Sequence, residues 1–318
     1  MMKTLIIDKE DSELRYQGNS LTVYCAGKRT NSVAIKQLER VIVSPHVALT
    51  AGVLGVIAEQ KVALMVLNAR LPKRTATLSG AHNGDAQRRL AQYQATLNHD
   101  FCVQVATRLV SVKIERQRNV LKAALHKRPE LRHTLTKAIA QLNTALNQLG
   151  SQEIVDLSVL NGIEGAAAMQ YFKAYTQLFC ASLNFTARQR RPPQDPVNAI
   201  LSLSYTLLHH EAVNAIKMQG LDPALGCYHQ LSYGRDSLAC DLIEPLRPYL
   251  DQWIWRLFAQ QTLTSTHFTE DAGACLLNQT GKPIFYKQFF SAIKPIKRLL
   301  RYYAQHMLNH IQTGQTHG

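Results

Sequence analysis

The feature that most constrains this chain is a change of hydrophobic period near residue 84. Before it, apolar residues come in short runs rich in β-branched and aromatic types, broken by Gly, Asn, Ser or Pro. Residues 5–7, 14–16, 21–25, 32–35 and 41–43 read as strands, and Gly18-Asn19-Ser20 reads as a hairpin turn. Residues 48–60 suit a short helix, and 62–68 a further apolar strand. After residue 84 the spacing becomes helical: Leu90, Tyr93, Leu97, Phe101, Val105, Leu109 and Val112 recur at intervals of three or four within 85–126. The pattern continues over 131–149, 162–183, 196–219, 246–263 and 286–312. The expected class is α+β: a small β-rich N-terminal domain over 1–80, a join near 75–86, and a larger all-α C-terminal domain over 86–318.

Charge narrows the partners. Lys and Arg total 36 against 22 Asp and Glu in 318 residues, a formal net charge of +14. A field of that sign attracts polyanions, either nucleic acid or an acidic membrane surface. The longest apolar stretch, residues 47–58, holds Thr50 and two glycines and is well short of the roughly 20 residues a membrane span needs. At the N-terminus charge returns after residues 4–7, so no secretory signal is expected. The six cysteines are scattered singly, with no C-x-x-C pair, which argues against a zinc site or a disulfide framework and for a reducing cytoplasm.

Three segments of the helical half carry candidate chemistry. In NGIEGAAAMQYF (161–172), Glu164 reads as lying in the first turn of a helix, where it either serves the helix dipole or ligates a metal. Small residues after it would let another backbone approach. In RRPPQDPVNAILSLSYTLL (190–208), Asp195-Pro196 is a strong helix start, and Asn198, Tyr205 and His209 then share one face. That polar stripe is either satisfied by neighbouring backbone or turned to a site. In GLDPALGCYHQLSYGRDSLACDLIEPLRP (220–248), Asp241 and Glu244 stand three apart, so on a helical turn both carboxylates point one way. They repel unless a cation lies between them, and Arg247 or a divalent ion would serve. Histidine with carboxylates suits Mg²⁺ or Mn²⁺ working on phosphate better than structural zinc.

These three blocks resemble, in order and approximate spacing, the signature segments of the universal CRISPR-associated integrase of the adaptation module. The match is close over about 155–250 and looser elsewhere. The resemblance implies that Glu164, His229 and Glu244 are ligands of a catalytic Mg²⁺ or Mn²⁺, with Asp241 an adjacent catalytic acid. It places Asn198, Tyr205 and Arg247, with Arg190 and Arg191, along DNA. It further implies insertion of new spacer DNA into a CRISPR array by transesterification, a small ferredoxin-like partner protein, and a homodimer through the β-rich domain. Two rival readings use the same residues: a metal-dependent nuclease on branched or single-stranded DNA, and a non-catalytic nucleic-acid-binding protein. Arg190, Arg191, the Arg-rich helix from Arg88 to Arg118, and Lys282, Lys287, Lys294, Lys297, Arg298 and Arg301 in the tail are candidate phosphate contacts. The aromatics interleaved in the tail are expected in the core.

Overall fold

The computed structural model describes residues 3–68, 74–78, 85–151, 156–189 and 192–314. The chain divides into two compact units, Met1–Gly84 and Asp85–Gly318.

In the first unit the strands are β1 (Lys3–Ile7), β2 (Ser12–Gln17), β3 (Ser20–Cys25), β4 (Lys28–Ala34), β5 (Leu38–Val43), β6 (Ala48–Leu49), β7 (Ala63–Val66) and β8 (Ala76–Leu78), with helix α1 (Ala51–Glu59) before β7. They form two four-stranded sheets, ordered β4-β3-β2-β6 and β1-β5-β7-β8. The hairpin expected at Gly18 closes β2 onto β3: Gln17 pairs with Ser20, and Gly18 and Asn19 adopt φ of 52° and 59°. Two successive positive φ values match the right-handed twist of the flanking strands. Strand β5 lies between β1 and β7, parallel to both, and Val41, Ile42 and Val43 are all buried. Burial on both faces explains why this strand reads as a continuous apolar run. Leu14, Leu21, Val41, Val43 and Ile57 meet in the core.

The second unit comprises α2 (Ala86–Leu97), α3 (His99–Leu125), α4 (Arg132–Ser151), α5 (Leu157–Tyr175), α6 (Pro196–Met218), α7 (Ser237–Ile243), α8 (Arg247–Ala259), a hairpin of β9 (Phe268–Asp271) and β10 (Ala274–Leu277), and α9 (Gly281–Gly314). The α+β class holds, but this unit is not all-α, because β9 and β10 pair around a turn at Ala272 and Gly273, both at positive φ. Helix α3 is the axis, packing against α4, α5 and α8. Residues 85–126 do not form one helix. The Asn98 side chain accepts from the Phe101 N–H at 3.0 Å, which caps a new helix and separates α2 from α3. On α2 the apolar spacing misleads: Leu90, Tyr93 and Leu97 are exposed, and the inward side carries Ala91 and Gln92. Among the described residues no helix is long and apolar enough to cross a membrane.

Candidate active site

Glu164 sits two turns inside α5, because the helix starts at Leu157 behind an Asp156 cap whose carboxylate accepts from Ser158 N–H at 2.8 Å. The first-turn placement is thereby corrected. Dipole effects fade beyond the first turn, so Glu164 has no helix-start role. No second backbone of the described residues packs against Gly162 or Gly165. Nothing lies within 4 Å of a Cβ built on Gly162 or Gly165, and this side of α5 is exposed.

From α5, Glu164 meets a residue that the sequence reading missed. Lys113, on the inward face of α3, is buried and forms ion pairs with Glu164 and, at 2.5 Å, with Glu244 Oε2. Glu244 opens a short 3₁₀ turn after α7 and is itself buried. Its other oxygen, Oε1, lies 3.1 Å from Arg247 Nη2. Burial alone would push the Glu244 carboxyl up, but Arg247 and Lys113 outweigh it and hold it down at about 2. Burial would likewise lower the Lys113 ammonium, and Glu244 and Glu164 instead raise it. The signal for Lys113 was present in the sequence. It falls on the line of Ala106, Val110, Gln117, Val120 and Ala124, where every other member is uncharged and all are buried.

Asp241 and Glu244 do not share a target. Asp241 is fully buried and turns to the loop before α7, where Oδ2 accepts from the N–H groups of Cys227 (2.7 Å) and Tyr228 (3.0 Å). Its Oδ1 takes the His229 N–H at 2.9 Å and meets His229 Nδ1 at 2.8 Å. Its acceptor capacity is spent on this brace, so Asp241 positions His229 instead of facing a substrate. With Nδ1 held, His229 has Nε2 as its remaining nitrogen, the arrangement a ligating imidazole requires. Gly226 makes the brace possible, since a Cβ there would lie 2.5 Å from Asp241 Oδ2 and 2.8 Å from the Ser237 carbonyl carbon. Gln92 clamps the same loop from α2: its side-chain amide donates to the carbonyls of Asp222 (2.9 Å) and Leu225 (2.8 Å) and accepts from Asp222 N–H (2.7 Å).

A second brace stands behind Arg247. Its guanidinium lies 4.9 Å over the Tyr205 ring, whose hydroxyl donates to Asp251. Tyr171 also donates to Asp251, at 2.9 Å, and burial holds that carboxyl up at about 6 despite both tyrosines. Of the polar stripe on α6, Asn198 turns inward, while Tyr205 and His209 are half-buried and His209 Nε2 lies 3.6 Å from Asp236 Oδ2. Asn198 is buried and bonded to Asp195, Arg188, the Gln189 N–H and the Ala187 carbonyl, and Tyr205 serves Asp251. Asn198, Tyr205 and Arg247 are each bonded to protein partners in this structure. The Asp195 cap and Pro196 start form as read. Arg190 and Arg191 lie outside the described residues.

Several other basic candidates are also internal ties: Arg116 donates to the Pro245 carbonyl and the Tyr303 hydroxyl, and Lys297 pairs with Glu211. On α9 Lys287, Lys294, Arg298 and Arg301 are exposed at helical spacing on one face, while Phe285 and Phe289 are buried.

The donor set of one imidazole and two carboxylates suits Mg²⁺ or Mn²⁺. The surroundings fit such an ion: Glu244 Oε2 is buried, lies beside a cation, and has no aligned hydrogen-bond donor. As they stand, no three His, Cys, Asp or Glu side chains among the described residues are gathered tightly enough to hold a metal. Lys113 occupies the space between the two carboxylates.

The model of the family "CRISPR associated protein Cas1" matches residues 5–291. The chain belongs to the Cas1 family. A curated relative, the CRISPR-associated endonuclease Cas1 1 of Thermodesulfovibrio yellowstonii, is 38% identical over 289 residues, covering 90% of this chain and 89% of its own. Two solved structures share the fold. A casposase bound to integration product has a TM-score of 0.84 at 18% identity, covering 98% of this chain and 91% of that one. A chain of a Cas6-RT-Cas1–Cas2 complex has a TM-score of 0.83 at 20% identity, covering 98% of this chain and 35% of that one.

Proposed function

We propose that this Cas1 family member is a metal-dependent DNA integrase that inserts spacer DNA into a CRISPR array. The observation that carries the reading is the convergence of Glu164 and Glu244, from separate elements, on one buried cation, with His229 braced alongside by Asp241. Glu164, Glu244 and His229 Nε2 would hold Mg²⁺ or Mn²⁺, which when bound supplies charge stabilisation at the phosphoryl oxygens and orientation of the reacting oxygen.

In the proposed reaction the 3′-hydroxyl oxygen of the incoming fragment attacks a phosphorus at the repeat boundary. A new phosphodiester bond forms as the old P–O3′ bond breaks. The proton lost by the attacking hydroxyl balances the one gained by the departing 3′-oxygen, so no nucleotide cofactor is consumed. Asp241 keeps the imidazole in one orientation and tautomer, and Arg247 keeps Glu244 ionised. The exposed basic row on α9 supplies phosphate contacts outside the centre. A small ferredoxin-like partner of the Cas2 kind and a homodimer through the β-rich unit complete the proposal. The casposase and the Cas2-containing complex among the structural neighbours favour joining over simple cleavage as the primary chemistry.

The test offers fragment DNA and a supercoiled target in Mn²⁺, with and without a candidate Cas2 partner. Joined products that vanish in His229→Ala and Glu244→Ala support the proposal. Cleavage without joining indicates a nuclease, and binding without reaction a non-catalytic protein. Full joining activity in both variants would overturn the site.

A further inference from the structure

The metal-site proposal leaves Lys113 without a task. This lysine is buried, reaches the site from α3, and pairs with the two carboxylates that the proposal assigns to the ion. We propose that Lys113 is a removable counter-ion: its ammonium occupies the cation position in the metal-free site and leaves when a divalent ion enters. The inference rests on the metal assignment made above.

The geometry makes the two cations alternatives. Lys113 Nζ lies 2.5 Å from Glu244 Oε2 and is also paired with Glu164 Oε1. A Mg²⁺ or Mn²⁺ ion bound to carboxylate oxygens stands roughly 2.1 Å from them. An ion held by these two carboxylates would compete with the ammonium for the same space. Removing any cation from between them is costly, because two carboxylates without one repel in a weakly screened interior. Glu244 stays fixed during the exchange, because Arg247 holds its other oxygen from behind.

The displaced ammonium remains tethered to α3 by its flexible stem. The exit lies past Glu164, whose side chain is 18% exposed against 5% for Glu244. An arriving DNA phosphate would meet it there and stabilise the displaced position. Dislodging Lys113 weakens the apparent affinity for metal, and a phosphate that captures it removes that cost. Metal and DNA then bind with positive coupling, and by linkage each strengthens the other. The site is loaded chiefly when DNA is present, which guards against idle cleavage.

The test is a Mn²⁺ titration of the full chain, read by loss of the free-ion electron paramagnetic resonance signal, together with thermal unfolding. Wild type, Lys113→Met and Lys113→Gln are compared with and without a DNA duplex. The proposal expects Lys113→Met to bind Mn²⁺ at least about tenfold more tightly than wild type, a factor worth about 1.4 kcal/mol. It expects a lower Tm without metal, recovered on adding Mn²⁺. The duplex should tighten Mn²⁺ binding in wild type and leave Lys113→Met nearly unchanged. Where Lys113→Met is unfolded without metal, recovery of the fold with Mn²⁺ supports the exchange and failure to recover overturns it; Lys113→Gln supplies the affinity comparison. Unchanged or weaker Mn²⁺ binding in both variants, with binding in wild type still lost in His229→Ala, overturns the inference while leaving the metal site standing. Wild-type binding that is absent or indifferent to His229→Ala overturns the metal assignment, and the Lys113 inference with it.

Discussion

Asp241→Asn isolates the brace from the chemistry, because the residue keeps its shape and loses only charge and one acceptor. In wild type each carboxylate oxygen takes two contacts: Oδ2 from Cys227 and Tyr228 N–H, and Oδ1 from His229 N–H and Nδ1. An asparagine amide supplies one oxygen and one NH₂ group: with the NH₂ at Oδ2 the Cys227 and Tyr228 N–H groups both lose their acceptor, and with it at Oδ1 the His229 N–H does while Nδ1 can accept after a tautomer change. Leaving a buried donor unmatched costs about 1–3 kcal/mol, or roughly 2–6 kcal/mol for two. Native proteins hold about 5–15 kcal/mol in reserve, so the variant should fold with a visibly lower Tm. At roughly 2–4 °C per kcal/mol for a unit of this size, the fall is about 2–24 °C for one or two unmatched donors. Local opening of the loop offers a cheaper escape, and hydrogen exchange detects it. The amides of Cys227, Tyr228 and His229 should lose protection by at least about tenfold, while buried amides of α3 change less. Metal affinity should fall about 10–100-fold, as when an outer-shell partner of a ligating histidine is removed. Amides at 227–229 exchanging as slowly as in wild type, with Tm within about 1 °C, would refute the reasoning.

Gly226→Ala should reproduce that loss of loop protection with Asp241 intact, since the added Cβ would meet Ser237 and Leu238 backbone at 2.8 and 2.9 Å. Overpacking of this kind costs about 1–3 kcal/mol, measurable by urea unfolding. Asp251 carries a pH signature. Its folded pKa of about 6 lies above the unfolded value of about 3.9, so the native state binds the proton more tightly. Stability from this group is present below about pH 4 and lost as pH rises through 6, by about 3 kcal/mol in all. Urea titrations of Asp251→Asn between those pH values should lack the decline, and an identical slope in both proteins would count against a buried, proton-holding Asp251. Replacing Lys294 and Arg298 together with Gln should weaken DNA binding similarly across sequences and make the salt slope shallower by about 2, checked by fluorescence anisotropy over a salt series.

Much of the frame was legible in the chain itself. The Gly18-Asn19 turn and the Asp195-Pro196 helix start are local signals and form where they were read, whereas the strand expected at 32–35 runs from Lys28 to Ala34 and gives way to a 3₁₀ turn at Ile35. The three blocks bearing Glu164, His229 and Glu244 are equally local, which is why the family resemblance was visible in them. Period alone could not say which side of a helix turns inward. On α2 Leu90, Tyr93 and Leu97 face solvent and Gln92 faces inward, because its amide bonds the backbone of a loop some 130 residues away. Spacing suggested that Asp241 and Glu244 act together, but the change from α7 to a 3₁₀ turn sends one to the His229 loop and the other to Lys113. Tyr205 bonds Asp251, 46 residues away, a partner that only packing brings near, whereas Asn198 bonds the Asp195 cap three residues before it. The sequence by itself determined the acids and imidazole available and the elements carrying them. Tertiary structure decided which cation stands between the acids: Lys113 lies 51 residues from Glu164, and no local signal couples charges on separate helices until burial removes water from between them.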